Sequence, residues 1–315
     1  MALSCPARVL ALRALGLGDV LTAVPAFKAL QRTVDGRWRG ARLVVAMPRA
    51  YAPLLELAGV DADVTDASGL DARLPGCDLA VNLHGSGPQS HRLLAASIAP
   101  AGHMTAFANE EAGVDGPAWR DDEHDRVRWC RLLGEGLDIE ADSDDTRLAA
   151  PHGPDGGGAI VVHPGAASGS RRWPAERWAE VVRWATAHGH RVVVTGTVAE
   201  RPLAARVAEL SGRPDLVEIA AGTTDVRALA GLVAHAAAVV AGDTGVGHLA
   251  AAYPTPSVHL MGPVAPDRWG PAPGDHRVVL WHGTTGDPHG DVPDPGLLKI
   301  APDDVIEALV GVPAR

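Results

Sequence analysis

Four short stretches of this 315-residue chain combine small residues with groups that hold anions or move protons. The first is Gly16-Leu17-Gly18-Asp19, a glycine-rich turn ending in a carboxylate. The second is His163-Pro164-Gly165-Ala166-Ala167-Ser168-Gly169-Ser170-Arg171-Arg172-Trp173-Pro174, with two hydroxyls and two guanidiniums among small residues. The third is Gly196-Thr197-Val198-Ala199-Glu200, and the fourth Gly242-Asp243-Thr244-Gly245-Val246-Gly247-His248. Glycine lets backbone approach a ligand closely, and the N–H groups opening a helix attract phosphate. Arginine grips a diphosphate through charge-assisted hydrogen bonds, and a carboxylate can take the proton of a hydroxyl. The chemistry these types point to is binding of a phosphorylated ligand.

Each group also has a plainer role open to it. Asp19 fits an N-cap or a first-turn acid favoured by the helix dipole. The Ser168–Arg172 stretch fits a surface loop with solvated arginines, Asp243 a helix cap, and His248 a core histidine one turn in. Glu200 either accepts hydrogen bonds from ribose hydroxyls, as acids do in other nucleotide sites, or sits in a first helical turn. The first stretch is not a dinucleotide fingerprint. G-x-G-x-x-G requires glycine at position 21, where Leu21 stands, which disfavours a nicotinamide dehydrogenase.

All four stretches follow short, continuously apolar runs, the pattern of strands buried on both faces of a parallel sheet. The strands expected are Arg8–Ala14, Leu43–Met47, Leu79–Leu83, Ala159–His163, Arg191–Thr195, Ala238–Ala241 and Pro256–Met261. Helical periodicity covers about Val20–Arg32, Tyr51–Ala58, Trp129–Leu133, Pro174–His188, Glu200–Ser211, Asp225–His235, Thr244–Ala252 and Asp303–Val310. Trp178, Val181, Val182 and Ala185 share one side of the Pro174–His188 helix. A Gly/Pro-rich run from Pro151 to Gly158 breaks all periodicity and reads as a linker. The expected architecture is α/β, with domains at 1–150 and 151–315. Ligands in such folds bind beyond the carboxyl ends of the strands.

Composition excludes several classes. Net charge is −10, against a nucleic-acid binder but not against a local cationic pocket. Three sparse cysteines, Cys5, Cys77 and Cys130, suggest buried inert thiols in a reducing cytosol rather than a disulfide framework. Arg8 and Arg13 interrupt the apolar start, so no signal peptide is expected there. No stretch of roughly 18 apolar residues suggests a membrane span, leaving at most peripheral membrane contact. Asp61-Ala62-Asp63 has the spacing of a metal-binding pair but is expected in a loop, and His282 and His289 in their Gly/Asp/Pro stretch are expected to be solvated.

Taken in order, these stretches resemble glycosyltransferase family 9, the heptosyltransferases. The resemblance covers nearly the whole chain. It is strongest in Leu15–Leu21 with Pro25, in His163–Ala166 through Arg171–Pro174, and in Asp243-Thr244-Gly245 with His248–Ala251, followed by Gly262-Pro263 and Trp269–Pro271. It implies a GT-B fold, two Rossmann-like domains facing across a cleft, with acceptor bound by the first and nucleotide-sugar donor by the second. The closing helix, about 303–310, would be free to pack back on the first domain.

Carried over residue by residue, the resemblance makes Asp19 the general base. Gly18, Ala166, Ser170, Arg171, Glu200, Met261, Asp243, Thr244, Gly245 and His248 become donor-binding, with Glu200 on the ribose and Met261 beside the base. Arg171 departs from the family, where a lysine commonly stands; it keeps the charge but presents a planar fork. His84, Ser86 and Gln89, which follow the Leu79–Leu83 strand, are candidate acceptor contacts. The implied reaction is inverting displacement without a metal or other cofactor. Its donor would be an ADP-heptose or related sugar, and its acceptor a glycan or secondary metabolite. A nucleotide-sugar epimerase on the same scaffold and a non-catalytic nucleotide-sugar-binding protein are the alternatives.

Overall fold

The structure, a computed structural model, describes residues 5–152 and 158–313. Most of the expected linker, 153–157, lies outside the described residues. The chain divides into two compact units, Met1–Ala149 and Ala150–Arg315.

In the first unit the elements are β1 (Arg8–Leu12), α1 (Leu17–Thr22), α2 (Val24–Asp35), β2 (Arg42–Met47), a 3-10 turn (Arg49–Tyr51), α3 (Ala52–Leu57), β3 (Asp63–Asp66), β4 (Cys77–Asn82), α4 (Pro88–Ala95), β5 (Ile98–Thr105) and α5 (Asp125–Leu137). The five strands form one sheet in the order β3-β2-β1-β4-β5, and every pairing is parallel. Strands β1, β2 and β4 are buried almost throughout, as their apolar runs require. The sequence pattern missed β3 and β5. They are half-exposed edge strands carrying Asp63, Asp66 and Pro100, and edge strands tolerate proline and charge. Asp63 therefore opens β3 rather than lying in a loop, and it pairs with Arg42 across the sheet edge.

One helix expected over Val20–Arg32 is two. The first ends at Thr22, and Pro25 sits in the first turn of the second, where its missing N–H costs nothing. Residues 13–16 link β1 to this short α1, and Asp19 stands in its first turn.

The second unit holds β6 (Ile160–His163), α6 (Ala175–Ala187), β7 (Val192–Val194), α7 (Arg201–Leu210), β8 (Val217–Ile219), α8 (Val226–Ala234), β9 (Ala238–Gly242), α9 (Gly245–Ala251), β10 (Ser257–Leu260), α10 (Pro266–Trp269), β11 (Arg277–Leu280) and α11 (Pro302–Gly311). Its sheet runs β11-β10-β9-β6-β7-β8, again with parallel pairings throughout. Counted from β6, that is the doubly wound order 3-2-1-4-5-6 of dinucleotide-type domains. Trp178, Val181, Val182 and Ala185 of α6 are buried against the sheet, as their spacing requires. Each of the two valines contributes about 1.5–3 kcal/mol on burial. Trp173 and Trp178 meet edge to face at 5.0 Å, and the Trp173 indole donates to the Ile300 carbonyl, tying α6 to the chain before α11. The closing helix α11 packs on α6, β10 and β11 of its own unit. Among the described residues no helix is long and apolar enough to cross a membrane. Cys77 and Cys130 are buried, with burial pushing their thiols up to about 11 and about 12; Cys5, in contrast, is exposed.

Candidate functional site

In both units the strand order reverses beside the first strand, and loops leaving the two strands at such a switch point diverge to leave a crevice. In the first unit these are the loops after β1 and β4, carrying Asp19 and His84. In the second they are the loops after β6 and β9, carrying Ser168–Arg171 and Asp243–His248. The topology thus gathers the sequence candidates into two groups, one in each unit.

Asp19 is not an N-cap. Gly16 occupies that position without a side-chain bond, and Asp19 stands in the first turn, where the Gly16 N–H supports its carboxylate. Its carboxyl is raised above the usual range. Burial is the main cause; Arg13 pulls against it and Asp125 adds to it. Arg13, one residue past β1, is 1% exposed and fans its guanidinium across the loop. Its Nε donates to the Asp19 carbonyl at 2.8 Å and one terminal nitrogen to the Leu83 carbonyl at 2.7 Å. The other reaches Asp125 Oδ2 at 2.7 Å, Thr22 Oγ1 at 3.2 Å and Asp19 Oδ1 at 3.3 Å. The guanidinium lies 4.6 Å from the Trp129 ring centroid, within cation–π range.

Of the acceptor candidates, His84 is half-buried and feels the charge of Arg13. Its N–H donates to Asn82 Oδ1, while its Nδ1 is buried with no hydrogen-bond partner among the described residues. Burial, reinforced by Arg13, pushes its imidazole down to about 4, so the ring is neutral at physiological pH. Ser86 accepts from Asn109 through its carbonyl, and Gln89 is exposed on the first turn of α4. His84 follows Leu83, whose carbonyl accepts from Arg13; among the described residues no hydrogen bond joins Ser86 or Gln89 to the Asp19 carboxylate.

In the second unit the loop after β6 is locked from within. Ser168 Oγ lies 3.1 Å from Ser170 Oγ and accepts from Arg171 Nε at 3.1 Å. Arg172 Nε donates to the carbonyl of buried Ala166. Arg171 in turn points a terminal nitrogen to Asp243 Oδ2 at 3.8 Å, and the Asp243 side chain is 1% exposed. The helix cap after β9 falls on Thr244, not Asp243; the Thr244 hydroxyl is buried and has no hydrogen-bond partner among the described residues. Gly245 opens α9, and His248 stands edge to face with Trp269 at 4.9 Å.

Glu200 holds the N-cap position of α7 without capping it. Its carboxylate turns back to accept from the Thr197 N–H at 2.8 Å. It lies where a Cβ on Gly165 would be, 2.1 Å from Oε1, so glycine at 165 is what admits the carboxylate to the β6 loop. His163 sits behind it, fully buried, with Nδ1 3.0 Å from Thr195 Oγ1; burial lowers its pKa, against the pull of Glu200. Met261, just past β10, is 2% exposed and donates its N–H to the Leu280 carbonyl.

Sequence reasoning missed two supports. One is the Arg13–Asp125–Trp129 group behind Asp19. Its signal was an arginine inside an apolar run, which is costly unless the charge is paired. The other is the stretch from Pro288 to Asp294, which overlaps the Gly/Asp/Pro run read only for its solvated His282 and His289. It clamps the loop after β6 by four contacts. Ser168 Oγ donates to the Pro288 carbonyl, Ser170 N to the Gly290 carbonyl, and Asp294 N to the Ser170 carbonyl. The Asp291 backbone rests where a Cβ on Gly169 would be, 1.9 Å away. Gly169→Ala is therefore expected to displace this clamp and cost about 1–3 kcal/mol, as overpacking does. Thermal melts check it; an unchanged melting temperature would mean the contact yields freely.

Among the described residues no group of three or more His, Cys, Asp or Glu side chains converges as metal ligands would.

With this geometry in hand, three comparisons are informative. Residues 134–289 match the model of glycosyltransferase family 9 (heptosyltransferase). The lipopolysaccharide heptosyltransferase 2 of Salmonella typhimurium is 31% identical over 153 residues, 46% of this chain and 44% of that protein. The chain thus aligns with less than half the length of the curated relatives it matches. Over the whole chain the fold is shared with solved structures. One is ADP-heptose lps heptosyltransferase II of E. coli, with a TM-score of 0.78 and 22% identity, covering 97% of this chain and 98% of that one. Another is E. coli heptosyltransferase WaaC with ADP, with a TM-score of 0.72 and 20% identity, covering 97% and 100%. The fold is the GT-B fold of these proteins.

Proposed function

We propose that this chain, a heptosyltransferase-like protein of glycosyltransferase family 9, transfers a sugar from a nucleotide-sugar donor to an acceptor hydroxyl, with Asp19 as the base. The observation that carries this reading is the coincidence of chemistry with topology. A carboxylate of raised pKa stands at the switch point of one sheet, and an Arg171–Asp243 cluster with an unpaired Thr244 hydroxyl stands at that of the other.

In the reaction, Asp19 accepts the acceptor's proton as its oxygen attacks the anomeric carbon from the face opposite the leaving group, so configuration inverts. The leaving diphosphate gathers negative charge. Arg171, the Ser168 and Ser170 hydroxyls and the N–H groups opening the α9 turn neutralise it, and no metal enters the scheme. Glu200 meets the ribose hydroxyls from the rim of the β6 loop. Neutral His84 offers its ring nitrogens to an acceptor hydroxyl. The donor is an ADP-sugar carrying a heptose or a close relative, a reading supported by the likeness to E. coli heptosyltransferase WaaC with ADP-2-deoxy-2-fluoro heptose; the acceptor is a glycan or secondary metabolite. The first unit serves as the acceptor domain and the second as the donor domain, acting in a reducing cytosol.

A thermal-shift series with ADP, UDP and GDP and their sugars tests the donor side, since a ligand that binds only the folded state raises the apparent melting temperature. ADP forms are expected to give the largest shift. A preference for UDP or GDP would overturn the assignment of the base, and no shift with any of them would overturn the nucleotide-sugar reading itself.

A further inference from the structure

Asp19 does not face Arg13 alone. The charged and titratable groups around it are Arg13 at the end of β1, Asp125 on the first turn of α5, and Tyr51 on the 3-10 turn before α3; His84, beyond β4, lies under the influence of Arg13. A lone buried arginine beside a base would be a poor arrangement. It would hold the carboxylate in an ion pair and weaken it as a proton acceptor. The geometry avoids this. The same Arg13 nitrogen that reaches Asp19 Oδ1 at 3.3 Å reaches Asp125 Oδ2 at 2.7 Å, so Asp125 has the closer contact.

Asp125 is in turn fixed from three sides. Trp129 Nε1 donates to Oδ2 at 3.2 Å, Arg128 donates to Oδ1, and the start of α5 favours a negative charge. Burial alone would raise its carboxyl, but Arg13, Arg128 and the indole outweigh burial and hold it below the usual range. Trp129 also carries the Arg13 guanidinium on its ring face, which fixes that group's plane. The set is a small charge relay with a defined direction: a firmly ionised Asp125, a shared Arg13, and a loosely held Asp19.

We propose that Asp125 is a positioning residue for Asp19: by taking the near end of the Arg13 guanidinium, it leaves Asp19 with a long contact only and its carboxylate available to an incoming hydroxyl. The inference rests on the proposed role of Asp19 for its catalytic meaning, but the arrangement itself can be tested without any substrate.

The test is a carbon-13 NMR titration of the Asp side chains, with Asp19 assigned by its absence in Asp19→Asn. In Asp125→Asn the guanidinium charge falls wholly to Asp19, and the Asp19 pKa is expected to drop by roughly one pH unit. In the double variant Arg13→Gln/Asp125→Asn, which leaves no uncompensated Arg13 charge, burial acts on Asp19 unopposed and its pKa is expected to rise above that of the parent. A purely structural role for Asp125 would give no such pair of opposite shifts. If Asp125→Asn does not fold, the double variant decides: a raised Asp19 pKa supports the proposal, and an unmoved or lowered one overturns it. The same displacement should appear in the acid limb of the pH–rate profile, which moves to lower pH in Asp125→Asn. Opposite NMR shifts with no transferase turnover in the parent would uphold the relay and sink the proposed function. Turnover in the parent with an unmoved Asp19 pKa in both variants would do the reverse.

Discussion

Asp19→Asn is expected to fold, to bind the nucleotide-sugar as the parent does, and to lose about 10²- to 10⁴-fold in kcat, the span that a positioned general base supplies. Folding should survive for a definite reason. Burial raises the carboxyl of Asp19 above its usual range, so its charged form is the disfavoured one in the native state. A group of that kind contributes stability that is fully present below its unfolded pKa and is lost as pH rises through the folded pKa. At neutral pH the neutral amide therefore removes a disfavoured charge, while Arg13 keeps its shorter contact to Asp125. The melting temperature at pH 7 should not fall. The parent's turnover should decline as pH drops through the raised pKa of Asp19, because the protonated acid cannot accept a proton. Steady-state rates beside an ADP titration decide the matter: turnover within threefold of the parent removes Asp19 from the chemistry.

The second large effect is expected at Arg171. Its guanidinium is fixed by Ser168 Oγ on one side and Asp243 on the other, so it is already ordered where the departing diphosphate would gain charge. Losing a preorganised donor of that kind costs about 10²- to 10³-fold in kcat. Arg171→Ala should therefore lose turnover well beyond its loss of ADP affinity, because the charge it meets grows in the transition state. Arg171→Lys keeps the charge but gives up the planar fork and the Nε bond to Ser168. It should fall between the two, by about tenfold. Comparison of kcat and KM for both variants with calorimetric ADP affinities separates the roles. Equal losses in affinity and kcat/KM with unchanged kcat would make Arg171 a binding residue alone.

The parts of this architecture that could be read from sequence are those that water never reaches. Strands β1, β2, β4, β6, β7, β9 and β10 are buried and largely apolar runs because a parallel sheet buries both faces, and the candidate loops were found by standing at their ends. Edge elements carry no such mark. β3, with Asp63 and Asp66, and β5, with Pro100, look like loops until a neighbour pairs with them. The turn after β1 was legible as a ligand loop, but the partners of Asp19 were not. Arg13 belonged to an apolar run, and Asp125 to an acidic run a hundred residues on; only the packing of α5 against α2 and β5 sets them together. The Pro288–Asp294 clamp was invisible for a similar reason. Its grip on Ser168–Ser170 is largely through backbone carbonyls and N–H groups, which any sequence supplies.

That clamp bears on the order in which the protein becomes competent as it leaves the ribosome. Residues 163–173 are made early, but the groups that hold them come more than a hundred residues later: Pro288, Gly290, Asp291 and Asp294 by contact, and Ile300 through Trp173. Domains fold as units during synthesis, first residues first, so a nascent chain stopped before residue 288 would carry the loop after β6 without its brace. Capture of nucleotide would then switch on only as residues 288–300 emerge. Arrested chains of graded length, probed with labelled ADP, should show this as a step rather than a slope.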